Sequence, residues 1–278
     1  MLKESLMPGL VLILSLNAFA GEKNQSQDVS RFWRDGKYCR QENIDLKKIS
    51  QGTIRAKAEG KWQDFTVQHL PAAFMEWNLE KRIKSLAGIR KGEMPGLAGP
   101  HSGMVASHGF IRGDSRISIN NAVKGMGFLP KPEVLGELLN ELKSSADSSM
   151  DFKLNWLSVL YRTRKDLLDD TKQVSLELYA KPDHVTHTFL NQMTDPAVSI
   201  VFLDIPSYEV RAITQLIDPN DPELTEYQRL VVDYVNGIHD YFHGAAPRQS
   251  IVAVYHVMEV FDNSPGLARG KRVVPPLP

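Results

Sequence analysis

The segment between residues 221 and 244 has the most restrictive pattern in the chain, because it is apolar along one helical face only. Asp221-Pro222-Glu223 is typical of a helix start, and Gly244 is typical of a helix end. Between them, apolar residues recur at the spacing of one helix face: Leu224, Tyr227, Val231, Tyr234, Val235, Ile238 and Phe242. Such a helix has to pack this face against another element of the protein.

The segments on both sides of this helix have the composition of β-strands. β-branched and aromatic residues are concentrated at residues 174–179, 197–203, 208–217 and 250–261. In the first half, a hairpin is predicted with strands at residues 53–58 and 62–69. The rest of this half is predicted to be mostly helical, with helices at residues 72–86, 132–143 and 152–169. The predicted class is therefore α+β, with a helical first half and a mixed or antiparallel sheet, on which the amphipathic helix packs, in the second.

The polar run at residues 144–151 is the best candidate for a domain boundary. It would separate an N-terminal region at residues 21–143 from an α+β region at residues 152–278. A surface loop inside one domain explains the same run equally well.

Glycine is concentrated between residues 88 and 127, which hold nine of the chain's 19 glycines. This composition predicts a loop rather than a packed helix. The segment matches neither a phosphate-binding loop nor a dinucleotide fingerprint, because no strand precedes the glycines and no Lys-Ser or Lys-Thr pair follows them. It could cover a ligand as a lid, although a connection between two layers is the favoured interpretation. Its Ser and His residues, which include His101 and His108, are conceivable catalytic partners for other histidines.

The sharpest chemical feature is a pair of histidines, His239 and His243, at positions i and i+4 of the amphipathic helix. This spacing places both imidazoles on one helix face, where they can bind a single zinc ion. The pattern is similar to the His-Glu-x-x-His motif of zinc peptidases, with Asp240 in place of the glutamate that acts as general base. The alternative is that the two histidines bind no metal and lie at the helix C-terminus as a polar or cationic pair, because the helix dipole favours positive charge there.

Three more histidines lie in the second half of the chain. His184 and His187 could supply further metal ligands, although helix capping by the neighbouring threonines explains their positions as well. His256 alternates with Val254 and Met258 and is expected to be a hydrogen-bonded core residue.

The first 20 residues have the features of a secretory signal peptide. Lys3 precedes an apolar run at residues 10–14, and Ala18-Phe19-Ala20 matches the small-x-small pattern before a cleavage site. We expect cleavage after Ala20 and a periplasmic or secreted product, with no integral membrane segment in the rest of the chain. The single cysteine, Cys39, is expected to be buried and cannot form an intramolecular disulfide.

The turn Thr194-Asp195-Pro196 precedes the predicted strand at residues 197–202, and a further strand, a helix and a last strand follow. In this order of elements, residues 174–261 resemble the second half of the flavin-binding split-barrel family related to pyridoxamine phosphate oxidases. It implies a split-barrel-like sheet. The basic residues that hold the flavin phosphate in that family have no counterpart that can be matched here. Export also argues against flavin, because soluble nucleotide cofactors are mainly intracellular, and it leaves zinc available.

These features support three hypotheses. The leading one is an exported protein that binds a small molecule or cofactor in a pocket between the 224–242 helix and the sheet, with the histidines at its rim. The second is a metal-dependent hydrolase in which His239 and His243 bind the metal and Asp240 orients water. The third is a non-catalytic, envelope-associated binding or structural protein. With 33 basic and 33 acidic residues, the chain indicates no nucleic-acid partner and no anionic membrane surface.

Overall fold

The computed structural model describes residues 29–266 and 270–277 of the chain. The predicted signal peptide lies outside the described residues. The helices are α1 (Ala72–Arg90), α2 (Pro132–Ser144), α3 (Met150–Thr163), α4 (His187–Thr194) and α5 (Glu226–His243). The strands are β1 (Trp33–Arg34), β2 (Tyr38–Cys39), β3 (Ile44–Asp45), β4 (Thr53–Ala58), β5 (Lys61–Thr66), β6 (Ser102–Ser107), β7 (Asn120–Gly125), β8 (Lys172–Glu177), β9 (Ala197–Phe202), β10 (Tyr208–Ile217), β11 (Ile251–Asp262) and β12 (Lys271–Val274). Short 3-10 turns lie at Val29–Phe32, Ile49–Gln51 and Lys165–Leu167.

Most strands belong to one antiparallel sheet in the order β12-β11-β10-β9-β6-β7. β8 pairs with the first half of β11, and β12 pairs with its end. The described residues do not close this sheet into a barrel, but Gly127, just after β7, forms an isolated antiparallel bridge with Val174 of β8. The predicted α+β class is confirmed, and the sheet is antiparallel.

The prediction of a loop over residues 88–127 is wrong in two places, because β6 and β7 lie within this segment. β6 alternates between buried and partly exposed residues and pairs with both β7 and β9. Gly103 is required there by close packing. A Cβ atom at this position would lie 2.8 Å from Ile200 Cγ2 and 2.8 Å from Met126 Cγ. A glycine that signals a loop in the sequence therefore allows close approach within the sheet.

Helix α5 begins at Glu226, five residues after the predicted start signal. Thr225 is the N-cap, and its side chain and that of Gln228 form a reciprocal capping box. Asp221 instead belongs to the preceding turn, where its carboxylate accepts a hydrogen bond from the Glu223 amide and pairs with Arg40. The helix ends at Gly244, which has a φ of 84°. The predicted end is confirmed, and the predicted start is corrected.

The apolar face of α5 packs against the sheet, as predicted, and α5 also contacts α2 and α3. Tyr241, which lies outside the predicted stripe, is buried there, with its hydroxyl 2.8 Å from Ser145 Oγ and its ring next to Trp156. The helix predicted at residues 152–169 is observed as Met150–Thr163. Its N-cap, Ser149, accepts a hydrogen bond from the Phe152 amide.

One large apolar core includes residues from both sides of the polar run at residues 144–151, among them Phe74, Leu135 and Val252. A smaller apolar cluster joins β4 to the large sheet through Ile213 and Met258. Cys39 is buried with a free thiol, as predicted. Within residues 29–266 and 270–277, no helix is both long enough and apolar enough to span a membrane.

Helix α1 is held against the sheet by an aromatic cluster around Phe74. The Phe74 ring meets the rings of Trp77, Phe202 and Tyr208 nearly edge-on, at centroid separations of 5.5, 5.4 and 5.2 Å. The ring itself is fully buried.

We expect Phe74→Ala to lower the free energy of unfolding by about 3–5 kcal/mol, because it removes a buried ring and leaves a cavity. The matched control is Phe152→Ala, because Phe152 is 49% exposed. This variant should change the free energy of unfolding by no more than about 0.5 kcal/mol. Urea unfolding measures both. Equal losses in the two variants would contradict this role for the cluster.

Candidate functional site

A cavity of about 260 Å³ lies between α5 and the large sheet, and we call it the α5 cavity. Most of its lining is apolar and comes from α3, α5, β8 and the segment that follows β7. The apolar side chains include Leu157, Leu160, Val235, Ile238 and Phe242. The polar lining includes Arg82, His101, His239 and His243, and no Asp or Glu lines the cavity.

Helix α1 brings Arg82 to the α5 cavity. Arg82 follows Phe74 and Asn78 at intervals of four residues, so all three lie on the buried face of the helix. Its Nε donates to Asn78 Oδ1 at 2.6 Å, and its Nη2 donates to the carbonyl oxygens of Pro100 at 2.6 Å and Met126 at 2.8 Å. Burial lowers the pKa of Arg82, and the neighbouring Tyr161 hydroxyl acts in the opposite direction.

His101, at the turn before β6, lies next to this guanidinium. Its Nδ1 is 3.2 Å from Arg82 Nη1 and accepts the hydrogen bond, because a guanidinium can only donate. Burial, and then the charge of Arg82, lower the pKa of His101 to about 3, so the ring is neutral at physiological pH. A neutral ring that accepts at Nδ1 carries its proton on Nε2. That nitrogen is buried and has no hydrogen-bond partner among the described residues.

His239 and His243 line the α5 cavity from the last turns of α5. Their ring centroids are 4.9 Å apart, so the structure brings this predicted pair together. Burial and the neighbouring His239 lower the pKa of His243. His243 is exposed, so this part of the cavity borders solvent.

The carboxylate of Asp240 points to the end of its own helix. Its Oδ1 lies 3.2 Å from His239 Nδ1 and accepts a hydrogen bond from the Ala246 amide at 3.2 Å. Asp240 does not line the α5 cavity. These contacts hold the chain that leaves α5, and a role for Asp240 as general base stays a prediction.

The other two candidate ligands lie elsewhere. His184 is exposed in a tight turn, where its backbone pairs with that of Lys181. His187 is the first residue of α4 and has its Nε2 3.6 Å from Asp114 Oδ1, while Thr186 caps the helix through the Phe189 amide. Across the described ranges, no three His, Cys, Asp or Glu side chains are grouped so that they could hold a metal ion. Of the four predicted zinc ligands, His239 and His243 are the two that line the α5 cavity.

His256 is a core residue, as predicted. It is buried on β11, and its Nε2 lies 3.2 Å from Gln215 Oε1. Burial lowers its pKa to about 3.

Arg82 is the site residue that the sequence analysis missed. A signal for it exists, because Asn78 and Arg82 occupy the same helical face as Phe74 and Leu86. A charged residue on a buried helix face needs partners, and the two carbonyl partners here lie 18 and 44 residues away. His101 was noted only as a conceivable partner of the other histidines, and the structure places it in their cavity.

Comparisons with known proteins add little to this geometry. No protein-family model matches the chain, and no curated protein matches it. Among solved structures, the chain is similar to HupZ from Group A Streptococcus, with 13% sequence identity and a TM-score of 0.32, over 61% of this chain and 90% of that one. A likeness at this level assigns neither a fold nor a function. The resemblance of residues 174–261 to the split-barrel family therefore stays a prediction.

We expect acid to destabilise the protein as the pH falls from 6.5 to about 3, because His101 stays neutral when folded and takes up a proton when unfolded. The pKa of His101 is about 3 in the fold and 6.5 ordinarily, so its contribution is complete above pH 6.5 and is lost as the pH falls. Each such histidine contributes a slope of about 1.4 kcal/mol per pH unit to the free energy of unfolding.

The variant His101→Asn keeps an acceptor for Arg82 and removes the titrating ring. Urea unfolding at several pH values should show its slope smaller than that of the wild type by about 1.4 kcal/mol per pH unit. The same slope in both proteins would show that His101 does not resist protonation.

Proposed function

We propose that this protein binds a small molecule in the α5 cavity. The observation that carries the proposal is a mostly apolar space of about 260 Å³ that holds a few polar groups at defined positions. Small-molecule sites have this character and usually measure about 300–1,000 Å³. The α5 cavity is slightly smaller than this range, so it suits a compact ligand. Protein interiors are otherwise packed closely, with few voids larger than a water molecule.

The surroundings of the cavity support a site that is formed before the ligand arrives. The aromatic cluster around Phe74 fixes α1, and the capping box of Thr225 and Gln228 fixes the start of α5. Arg82 ties α1 to the chain on both sides of the β6–β7 hairpin. A rigid frame of this kind lowers the entropic cost of binding.

The proposal includes a setting outside the cytoplasm, which is supported by the signal-like residues 1–20. The proposed ligand is neither a flavin nor a metal ion. The split-barrel resemblance is compatible with a bound cofactor, but the basic residues of that family's phosphate site are not matched here. A zinc hydrolase would need a third metal ligand beside His239 and His243. Among the described residues, no third His, Cys, Asp or Glu is grouped with them.

Filling the cavity should weaken binding. Ile238 lines it from α5 and is only partly buried, so Ile238→Trp can place an indole in the space while the helix is kept. The probe is N-phenyl-1-naphthylamine, a neutral apolar dye whose fluorescence rises when it leaves water. We expect the wild type to bind it and Ile238→Trp to bind it at least about tenfold more weakly, a loss of about 1.4 kcal/mol.

The matched control is Val159→Trp, on α3, at a position that is 41% exposed and outside the cavity lining. This variant should bind the dye as the wild type does. If the dye binds none of the three proteins, or binds all three equally, the α5 cavity is not a binding site.

A further inference from the structure

The guanidinium of Arg82 is a buried positive charge without a negative partner. The residue is 2% exposed. Its hydrogen bonds go to neutral groups, namely Asn78, two backbone carbonyls, the neutral ring of His101 and the Tyr161 hydroxyl. Within the described part of the chain, no carboxylate forms an ion pair with it, whereas the buried Glu177 pairs with Lys124 at 2.8 Å. A buried charge strongly destabilises the fold unless it is paired.

A second group beside Arg82 also lacks the partner it requires. His101 donates through Nε2, as its bond to Arg82 dictates, and this buried N–H has no acceptor among the described residues. An unsatisfied buried donor destabilises the protein, because its hydrogen bonds to water are lost and not replaced. Both groups line the α5 cavity. A negatively charged acceptor at this place would satisfy both at once.

The rest of the cavity favours the same sign of charge. No Asp or Glu lines it, and its other ionisable groups are His239, His243, Tyr161 and Tyr234. The Tyr161 hydroxyl beside Arg82 can donate a hydrogen bond to an acid group. One uncompensated charge on Arg82 matches a monoanion better than a dianion.

We propose that the ligand of the α5 cavity is a compact apolar carboxylic acid, bound as its carboxylate. The acid group lies beside Arg82 and accepts a hydrogen bond from Nε2–H of His101. The apolar part lies against Leu157, Val235 and Ile238. Arg82 supplies the charge, since most of its donors are already used within the protein. This inference rests on the proposed function, because it specifies the chemical class of that same ligand.

A series of ligands of one shape tests the charge preference. The ligands are 4-tert-butylbenzoate, the neutral 4-tert-butylbenzamide and the cationic 4-tert-butylbenzylamine, each titrated into the purified protein by calorimetry. A hydrogen bond to a charged group is stronger than one to a neutral group, so we expect the acid to bind at least about tenfold more tightly than the amide. The amine should bind most weakly.

Two substitutions of one kind locate the acid group. His101→Asn keeps an acceptor for Arg82 but lacks a donor at the position of Nε2, and it should lower the affinity for the acid while that for the amide stays within about twofold. His184→Asn makes the same change on the exposed surface, outside the cavity, and should alter neither affinity. Arg82→Gln should remove the preference for the acid, and His101→Asn gives the answer if Arg82→Gln fails to fold.

The outcomes separate this inference from the proposed function. Equal affinities for the acid and the amide, both lost in Ile238→Trp, would overturn the carboxylate preference and leave the binding site standing; Arg82 would then be a structural clamp only. Tight binding of the acid that survives both His101→Asn and Ile238→Trp would place the acid elsewhere and also overturn the inference. If none of the three ligands binds, the inference falls, and the neutral dye decides separately whether the cavity is a site.

Discussion

The burial of the Arg82 guanidinium is the constraint on which the cavity region depends. A charge in an apolar interior is tolerated only when its donors are used. Arg82 meets this requirement with carbonyl groups from Pro100 and Met126, which lie just before β6 and just after β7. One side chain therefore joins α1 to both ends of a hairpin. Phe128 and Tyr161 place their rings 5.4 and 5.8 Å from the guanidinium, which adds cation–π attraction.

The α5 cavity has an apolar part and a polar part. Helix α5 contributes an apolar surface because its stripe faces the sheet, and Val235 and Ile238 belong to that stripe. Arg82 and His101 contribute a positive charge and a free donor, because their mutual hydrogen bond fixes the tautomer of the ring. The apolar part of the proposed ligand is thus recognised by α5, and its acid group by Arg82 and His101. Neither contact requires a metal ion or a nucleotide.

The sequence predicts the parts of this structure that depend on local periodicity. The stripe of α5 has a period of 3.6 residues, and the limits of β10 follow directly from its β-branched run. β6 and β7 were missed because glycine predicts a turn, whereas Gly103 is needed for contact with Ile200 and Met126. The pairing of His239 with His243 follows from helical spacing. The environment of Arg82 depends on contacts between distant segments, which no local pattern encodes.

A crystal structure of the protein with 4-tert-butylbenzoate tests the central claim most directly. The account predicts one carboxylate oxygen about 2.7–3.2 Å from His101 Nε2, beside Arg82, with the tert-butyl group against α5. A benzoate whose carboxylate lies at His239 and His243, or that binds outside the α5 cavity, would contradict it.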